Sequence, residues 1–188
     1  MSPQRFTKRY PKFIELDETD LEIRRFEGKY RDAMLEFARS LGEEDLLFLR
    51  FDITQAEVVD RWVEQEKSGQ RVTVVALEKG KDRILGYSSL SREPLSWTRH
   101  IGEIRAIVNP EHRKIGLGAA LTQEIFGICQ ELDLQKVVAR MPLRQSGARR
   151  MFERLGFSAE ALLADWVMDR VGDTHDLVVM SVDVTSLT

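Results

Sequence analysis

The apolar positions of this chain follow two spacings in turn, and the alternation predicts a mixed succession of strands and helices. Runs rich in β-branched residues indicate strands, while apolar residues three and four positions apart indicate helices with one buried face. We predict strands over residues 21–26, 71–77, 84–91, 101–108, 136–141, 157–167 and 177–184. Helices are predicted over residues 30–41, 45–50, 54–68 and 117–132, with a fifth, short helix that ends at Gly156.

The polar segments between these elements carry start and stop signals. Thr54, followed by Glu57 three residues later, predicts a capping box at the start of the third helix. The turn over residues 78–83 joins two strands into a hairpin, and a turn rich in Gly and Asp over residues 169–174 joins the last two strands. Since the chain contains no internal repeat or low-complexity linker, we predict a single domain over residues 1–188, with an N-terminal extension over residues 1–20.

Composition agrees with one domain. A chain of 188 residues with 43% hydrophobic content can bury a substantial core. No apolar run approaches the ~20 residues of a membrane span, and the N-terminal residues lack a signal-peptide core, so we expect a cytoplasmic protein without a membrane partner. The single cysteine, Cys129, lies on the apolar stripe of the fourth helix, and we expect it in the core.

The net charge of −3 gives no support to nucleic-acid binding. The first dozen residues are nevertheless basic, with aromatic residues between the charges: Arg5, Phe6, Lys8, Arg9, Tyr10, Lys12 and Phe13. We expect this arm to pack on the domain. A nucleic-acid partner held by the arm is the alternative, and it predicts retention that salt abolishes.

One stretch, residues 103–118, combines a strand with a basic, glycine-bearing turn and the start of a helix. A helix start exposes unpaired N–H groups, so the backbone of residues 115–118 is suited to hold a phosphate, with Arg113 and Lys114 adding positive charge. A P-loop would need Ser or Thr after Gly-Lys, and a dinucleotide fingerprint would need a third glycine where Leu121 stands. Both nucleotide-binding alternatives therefore match poorly.

The turn has the form Arg-x-x-Gly-x-Gly, and here the chain resembles the GNAT superfamily of N-acetyltransferases. A second segment, Gln145 to Phe157, resembles the other hallmark of that family, usually Asn-x-x-Ala-x-x-Leu-Tyr-x-x-x-Gly-Phe. The resemblance implies a mixed α/β fold with a central, mostly antiparallel sheet of about seven strands, a splayed pair of strands and four or five flanking helices. It also implies acetyl-CoA as cosubstrate and gives no indication of a metal.

Carried over to this chain, the resemblance predicts a cofactor site made of backbone and side-chain groups. The predicted cofactor-binding residues are Ile107, Val108, Arg113, Lys114, Ile115, Gly116, Leu117, Gly118, Ala119, Gln145 and Phe152. In this family the pantetheine arm lies between the splayed strands, which predicts contacts with the backbone of Ile107 and Val108. The implied activity is transfer of an acetyl group to a primary amine of a small molecule or protein, by direct attack in a ternary complex.

Deprotonating an amine with a pKa of ~10.4 at neutral pH costs roughly 4.6 kcal/mol. Releasing coenzyme A as a thiolate, whose thiol has a pKa of ~8.5, costs only about 2 kcal/mol at the same pH. A general base for the amine therefore matters more than a general acid for the thiolate. Because the family often has a carboxylate on this strand, we predict Glu103 as the base, acting through water. Pairing of Glu103 with Arg105 is the structural alternative. His100 and His175 are further candidates for the base, and His112 is expected to border a phosphate.

Where the family often has a tyrosine that protonates the leaving thiolate, this chain has Phe152, which cannot donate a proton. A non-catalytic acyl-CoA-binding module is therefore the alternative function. An acceptor pocket is predicted beside aromatic residues, which are Phe48, Phe51, Trp97 and Trp166. The acidic residues 43–45 could attract a cationic polyamine or a lysine tail, but a solvated helix start is the simpler interpretation. A homodimer through the last hairpin is compatible with the sequence.

Overall fold

The computed structural model describes residues 10–46, 49 and 51–186. The strands are β1 (Lys12–Leu16), β2 (Thr19–Arg25), β3 (Arg71–Glu78), β4 (Ile84–Ser91), β5 (Ile101–Val108), β6 (Lys136–Pro142), β7 (Ser158–Met168) and β8 (Thr174–Asp183). The helices are α1 (Arg31–Ser40), α2 (Glu43–Leu46), α3 (Ala56–Ser68), α4 (Leu117–Glu131) and α5 (Ser146–Arg154). The mixed α/β class is confirmed, and none of the described helices has the length and apolar character needed to cross a bilayer.

All eight strands form one sheet in the order β1-β2-β3-β4-β5-β6-β8-β7. Every neighbouring pair is antiparallel except β5 and β6, which run parallel. That parallel pair is joined only from Ile101 to Ile104, opposite Lys136 to Ala139. Beyond this point β5 continues along β4 and β6 continues along β8, so the predicted splayed pair is present.

Strand β1, which is additional to the seven predicted strands, falls within the predicted N-terminal extension. Lys12–Leu16 pairs with β2 at the edge of the sheet, through a turn in which Asp17 and Glu18 adopt positive φ values of 48° and 61°. Because neither turn residue is glycine, the sequence carries no clear hairpin signal here. Lys12 Nζ also lies 2.5 Å from Glu124 Oε1 on α4, as expected for an arm that packs on the domain. The basic residues Arg5, Lys8 and Arg9 lie outside the described residues.

Helices cover the sheet on both faces. On one face α4 packs Leu121, Ile125 and Ile128 into a core with the even-numbered residues of β3, and Cys129 is buried there, as predicted. Burial raises the pKa of the Cys129 thiol to about 12. On the other face α1 and α3 enclose a second core around Trp62 and Tyr87, whose rings meet edge to face at 4.9 Å.

Two helix starts differ from their predictions. The structure begins α3 at Ala56 rather than Thr54, and the Thr54 hydroxyl donates a 2.6 Å hydrogen bond to Asp52 Oδ1 instead of capping the helix. The predicted capping box is therefore wrong, because a nearer carboxylate competes for the hydroxyl. The helix predicted over residues 45–50 is α2, which begins at Glu43; residues 47, 48 and 50 lie outside the described residues.

Candidate active site

A cavity of about 700 Å³ opens where β5 and β6 part. Its wall is formed by β5, the turn that follows β5, the end of β6 and the inner side of α5. The lining includes the predicted residues Ile107, Val108, Arg113, Lys114, Gly116, Leu117, Gly118, Ala119, Gln145 and Phe152. Ile115 is the exception among the predicted set, because its side chain packs against the core beneath α4. Two motifs that are distant in sequence therefore line one cavity.

The turn between β5 and α4 curves around the mouth of this cavity. Lys114 and Gly116 have left-handed backbones, with φ values of 69° and 88°, and glycine is the residue that adopts this conformation without strain. The Ala120 N–H donates to the Gly116 carbonyl at 3.0 Å, which is the first hydrogen bond of α4. The N–H groups of residues 117–119 therefore precede the helical hydrogen-bond ladder and form an anion-binding helix start.

Asn109, which the sequence analysis did not single out, fixes this turn to the end of β5. Its backbone N–H donates to the Leu85 carbonyl at 2.9 Å, and its buried side-chain oxygen accepts from the Glu111 N–H at 2.9 Å. Pro110 begins a short 3-10 turn directly after it. Asn109 thus ends the strand and directs the chain back across the mouth of the cavity.

The backbone of β5 presents alternate residues to the gap. The bond from Asn109 to Leu85 and the closeness of the Ile107 carbonyl to Gly86 show that odd-numbered residues of β5 direct their backbone groups toward β4. Ala106 and Val108 therefore face the gap. The prediction that Ile107 offers edge backbone groups needs correction by one residue, although Ile107 does line the cavity.

Arg113 is held by two contacts at the mouth. Its Nε donates to the Val108 carbonyl at 3.1 Å, and its Nη2 lies 2.5 Å from Asp45 Oδ1 on α2. Asp45 also lines the cavity, so it is more than part of a solvated helix start. The ion pair connects α2 to the turn, and any anion bound at the turn competes with Asp45 for the same guanidinium.

The second motif closes the cavity from the side of α5. Phe152 is buried and its ring meets that of Phe157 edge to face at 4.9 Å. Met151 approaches the turn so closely that a Cβ atom on Gly118 would lie 3.1 Å from its sulfur. Met151 therefore packs where a Gly118 side chain would lie, and it would have to move to admit even a Cβ atom. Gln145 lines the cavity just before α5 begins.

The residues predicted as the base, and the histidine predicted beside a phosphate, lie at different positions relative to the cavity. Glu103 is partly buried, lies beside rather than within the lining, and contacts Arg140 with 3.5 Å between Oε2 and Nη1. His175 is hydrogen-bonded to Asp169 at 2.9 Å, which lowers the pKa of that aspartate. His112 is the predicted histidine that lines the cavity, and its buried Nδ1 has no hydrogen-bond partner among the described residues. This position agrees with a role beside a phosphate.

The predicted aromatic wall is not part of this cavity. Phe51, Trp97 and Trp166 are exposed, and none of the three is among the residues that line it; Phe48 lies outside the described residues. Leu49 and Asp45 line the wall on the side of α2 instead. Two cavity residues that the sequence analysis missed are Arg105 and Arg140, which only the strand register brings together.

Sequence and structure comparisons assign the chain to a protein family. The model of the acetyltransferase (GNAT) family matches residues 32–157, which is well over half of the chain. The chain belongs to the GNAT acetyltransferase family. This GNAT protein is accordingly an acyltransferase that moves acetyl groups. No curated protein matches it in sequence.

Solved structures share the fold of this GNAT acetyltransferase. A GNAT-family acetyltransferase from Streptococcus pneumoniae is 21% identical with a TM-score of 0.75, over 87% of this chain and 99% of that one. Ribosomal-protein-alanine N-acetyltransferase from Brucella melitensis is 21% identical with a TM-score of 0.76, over 86% and 98%. A phosphinothricin acetyltransferase from Sinorhizobium meliloti, in complex with acetyl-CoA, is 21% identical with a TM-score of 0.73, over 87% and 88%.

Gly118→Val provides a steric test of the cavity mouth. The added side chain would clash with Met151 and crowd Val108, so the turn or Met151 must shift, and we expect acetyl-CoA to bind at least tenfold more weakly, a loss of about 1.4 kcal/mol, in calorimetric titration. Gly118→Ala adds only Cβ and should show a smaller loss. Equal affinity in wild type and Gly118→Val would contradict this account of the mouth.

Arg113 and Asp45 provide an electrostatic test. Arg113→Ala should weaken acetyl-CoA binding by roughly 1 to 3 kcal/mol, because it removes a charge-assisted donor. Asp45→Asn should strengthen binding by less than about 1 kcal/mol, because the competing carboxylate is partly exposed. If Asp45→Asn weakened binding as much as Arg113→Ala does, Asp45 would be supporting the anion site rather than competing with it.

Proposed function

We propose that this GNAT acetyltransferase moves the acetyl group of acetyl-CoA to a primary amine of a small molecule or protein, by direct attack in a ternary complex. The observation that carries the proposal is the continuity of one cavity, from a cationic helix start at its mouth to the parting of two strands. An acyl carrier with a diphosphate at one end and an extended arm has matching chemistry. The bound acetyl-CoA of the Sinorhizobium enzyme, which shares the fold, supports this choice.

The mouth is suited to the diphosphate. Residues 117–119 offer backbone N–H groups, and Arg113 adds a planar guanidinium beside them. Further cationic side chains that line the same region belong to Lys114, Arg150 and Arg154. The absence of a side chain at Gly118 allows Met151 and Val108 to pack close to the backbone at this helix start.

The strands are suited to the pantetheine arm. Ala106 and Val108 direct backbone groups into a gap that β6 leaves open, although the Val108 carbonyl already accepts from Arg113. The two amides of pantetheine can pair with the remaining groups as a short extra strand. Phe152 and Met141 provide apolar surface along the gap. The thioester then lies toward the closed end, where Ile104 and Ala139 mark the last paired residues of the two strands.

The transfer itself forms a C–N bond and breaks the C–S bond of the thioester. The attacking amine must first be neutral, and Glu103 receives its proton through a water molecule in this proposal. The thiolate leaves with the electron pair of the C–S bond. Phe152 cannot donate a proton, so water protonates the departing thiolate. Because the free thiolate lies only about 2 kcal/mol above the thiol near pH 7, the reaction does not need a dedicated acid.

Arg140 affects how Glu103 can perform this role. The Arg140 guanidinium lies 3.5 Å from the Glu103 carboxylate and forms an ion pair with it. It also fixes the carboxylate on the side of β5 that faces α1 and α3, next to the closed end of the cavity. The name of the Brucella enzyme, an alanine N-acetyltransferase, supports an amine as acceptor.

Free thiol release tests the proposed reaction. With acetyl-CoA and a panel of amino acids, polyamines and lysine peptides, at least one amine should accelerate thiol release above the hydrolysis rate. Binding of acetyl-CoA without acceleration by any amine in the panel would contradict amine acetylation and favour a binding module.

Glu103→Gln tests the base. General-base catalysis contributes typically 10²- to 10⁴-fold, so we expect kcat for the best amine to fall by at least about 10²-fold while acetyl-CoA affinity stays unchanged. Glu64→Gln, on the exposed side of α3, is a matched control and should retain activity. An unchanged kcat in Glu103→Gln would remove Glu103 from the mechanism.

We also propose that the last hairpin forms a homodimer. Edge strand β7 and its turn expose a group of large apolar side chains, which are Leu162, Trp166, Met168 and Val171. Light scattering should give twice the mass of 21.7 kDa, and Trp166→Asp should give a monomer, while Trp97→Asp on a separate exposed loop should not. A monomeric wild type would contradict this association.

A further inference from the structure

Arginines collect on one face of the sheet at the closed end of the cavity. Register places Arg71 of β3 opposite Ser91, and Ser91 opposite Glu103, while Arg105 lies opposite Ser89. Arg140 of β6 follows two residues after Val138, the parallel partner of Glu103, and so shares the same face. Arg105 and Arg140 line the cavity. The small serines of β4 leave room for the long side chains between them.

Among the described residues, Arg71, Arg105 and Arg140 of this face lie near two carboxylates, Glu66 and Glu103. The carboxylates that act on Arg71 are Glu66 and Glu103, and each also contacts a different arginine. Glu103 contacts Arg140 at 3.5 Å, and Glu66 contacts Arg25 at 3.6 Å. Arg71 and Arg105 also repel each other. An anion near the two guanidinium groups would offset that repulsion.

Arg71 is held in a position that favours an anionic ligand. Its guanidinium lies 4.5 Å from the centre of the Trp62 ring, and the Trp62 indole N–H donates to Thr73 at 2.9 Å, which fixes the ring. The Arg71 Nε is buried and has no hydrogen-bond partner among the described residues. Burial lowers the pKa of Arg71, which shows that its charge is poorly solvated.

Arg105 is set back along β5 from the mouth of the cavity, where Arg113 lies. Arg113 is bonded to the Val108 carbonyl, and Arg105 is three residues earlier on the same strand. At about 3.3 Å per residue, the separation along β5 is roughly 10 Å. The cavity therefore has two cationic regions, and the inner one adjoins the proposed position of the thioester.

We propose that the acceptor is an amine that also carries a carboxylate, of the amino-acid type, and that Arg105 and Arg140 bind this carboxylate. This inference rests on the proposed function, since it names the acceptor class of the same site. Arg71, two strands away on the same face of the sheet, adds positive charge to the carboxylate site. A polyamine would be repelled at this position, because its ammonium groups would approach three positively charged arginines. Arg140 has enough donors to contact both Glu103 and a ligand carboxylate.

The test compares each common amino acid with its own carboxamide, and includes spermidine. With coenzyme A bound, calorimetry should detect at least one amino acid and show at least about tenfold weaker binding of its amide, the size expected for a lost charge-assisted bond. Thiol release from acetyl-CoA should show the same ratio in kcat/KM. Arg105→Gln should bring acid and amide to nearly equal values and leave acetyl-CoA affinity unchanged. Arg61→Gln, on the exposed side of α3, should keep the full ratio.

The outcomes separate the two proposals. Thiol release that depends on amines but not on their carboxylates overturns the carboxylate site and leaves amine acetylation intact. Binding of an amino acid without thiol release supports the carboxylate site and contradicts amine acetylation by this enzyme. Preference for spermidine, or an Arg105→Gln variant with an unchanged ratio of acid to amide, overturns the inference directly.

Discussion

The parting of β5 and β6 is the constraint on which the site depends. After Ile104 and Ala139 each strand keeps one neighbour, β4 or β8, and turns its other edge toward an open gap. Unpaired backbone groups are costly when they are removed from water without a partner. The gap therefore requires water or a polar, extended ligand, and a thioester arm with two amides meets that requirement. The proposed cofactor site therefore depends on the backbone of the sheet as much as on its side chains.

Local sequence was sufficient for the parts of the site that are contiguous. The strand Ile101–Val108 and the start of α4 at Leu117 have the predicted bounds, because a β-branched run, a proline and two glycines mark them within a few residues. The seven predicted strands and four of the predicted helices occur with small shifts at their ends. The helix predicted over residues 45–50 shares only Asp45 and Leu46 with α2, and residues 47, 48 and 50 lie outside the described residues. Ten of the eleven predicted cofactor residues line the cavity, and the eleventh, Ile115, faces the core.

Longer-range features were beyond local reasoning for identifiable physical reasons. The strand β1 was missed because its turn uses Asp17 and Glu18 with positive φ rather than glycine. Asp45 pairs with Arg113 across 68 residues, and no local pattern encodes such a contact. The arginine face arises from the register of three strands. A one-residue slip in any of them would move its side chain to the opposite face of the sheet.

The net charge of this protein is a poor guide to the charge of its ligands, because a ligand responds to the electrostatic field of its own binding site. The chain carries a formal charge of −3, which gives no support to general attraction to polyanions. Its cavity nevertheless has Arg113 and Lys114 at the mouth and Arg105 and Arg140 at the closed end. Within this partly enclosed space the surrounding solvent screens these charges less than it screens surface carboxylates. A protein that is acidic overall can therefore bind anionic groups at both ends of this cavity. In the proposed complex the reacting amine and thioester lie between these two cationic regions.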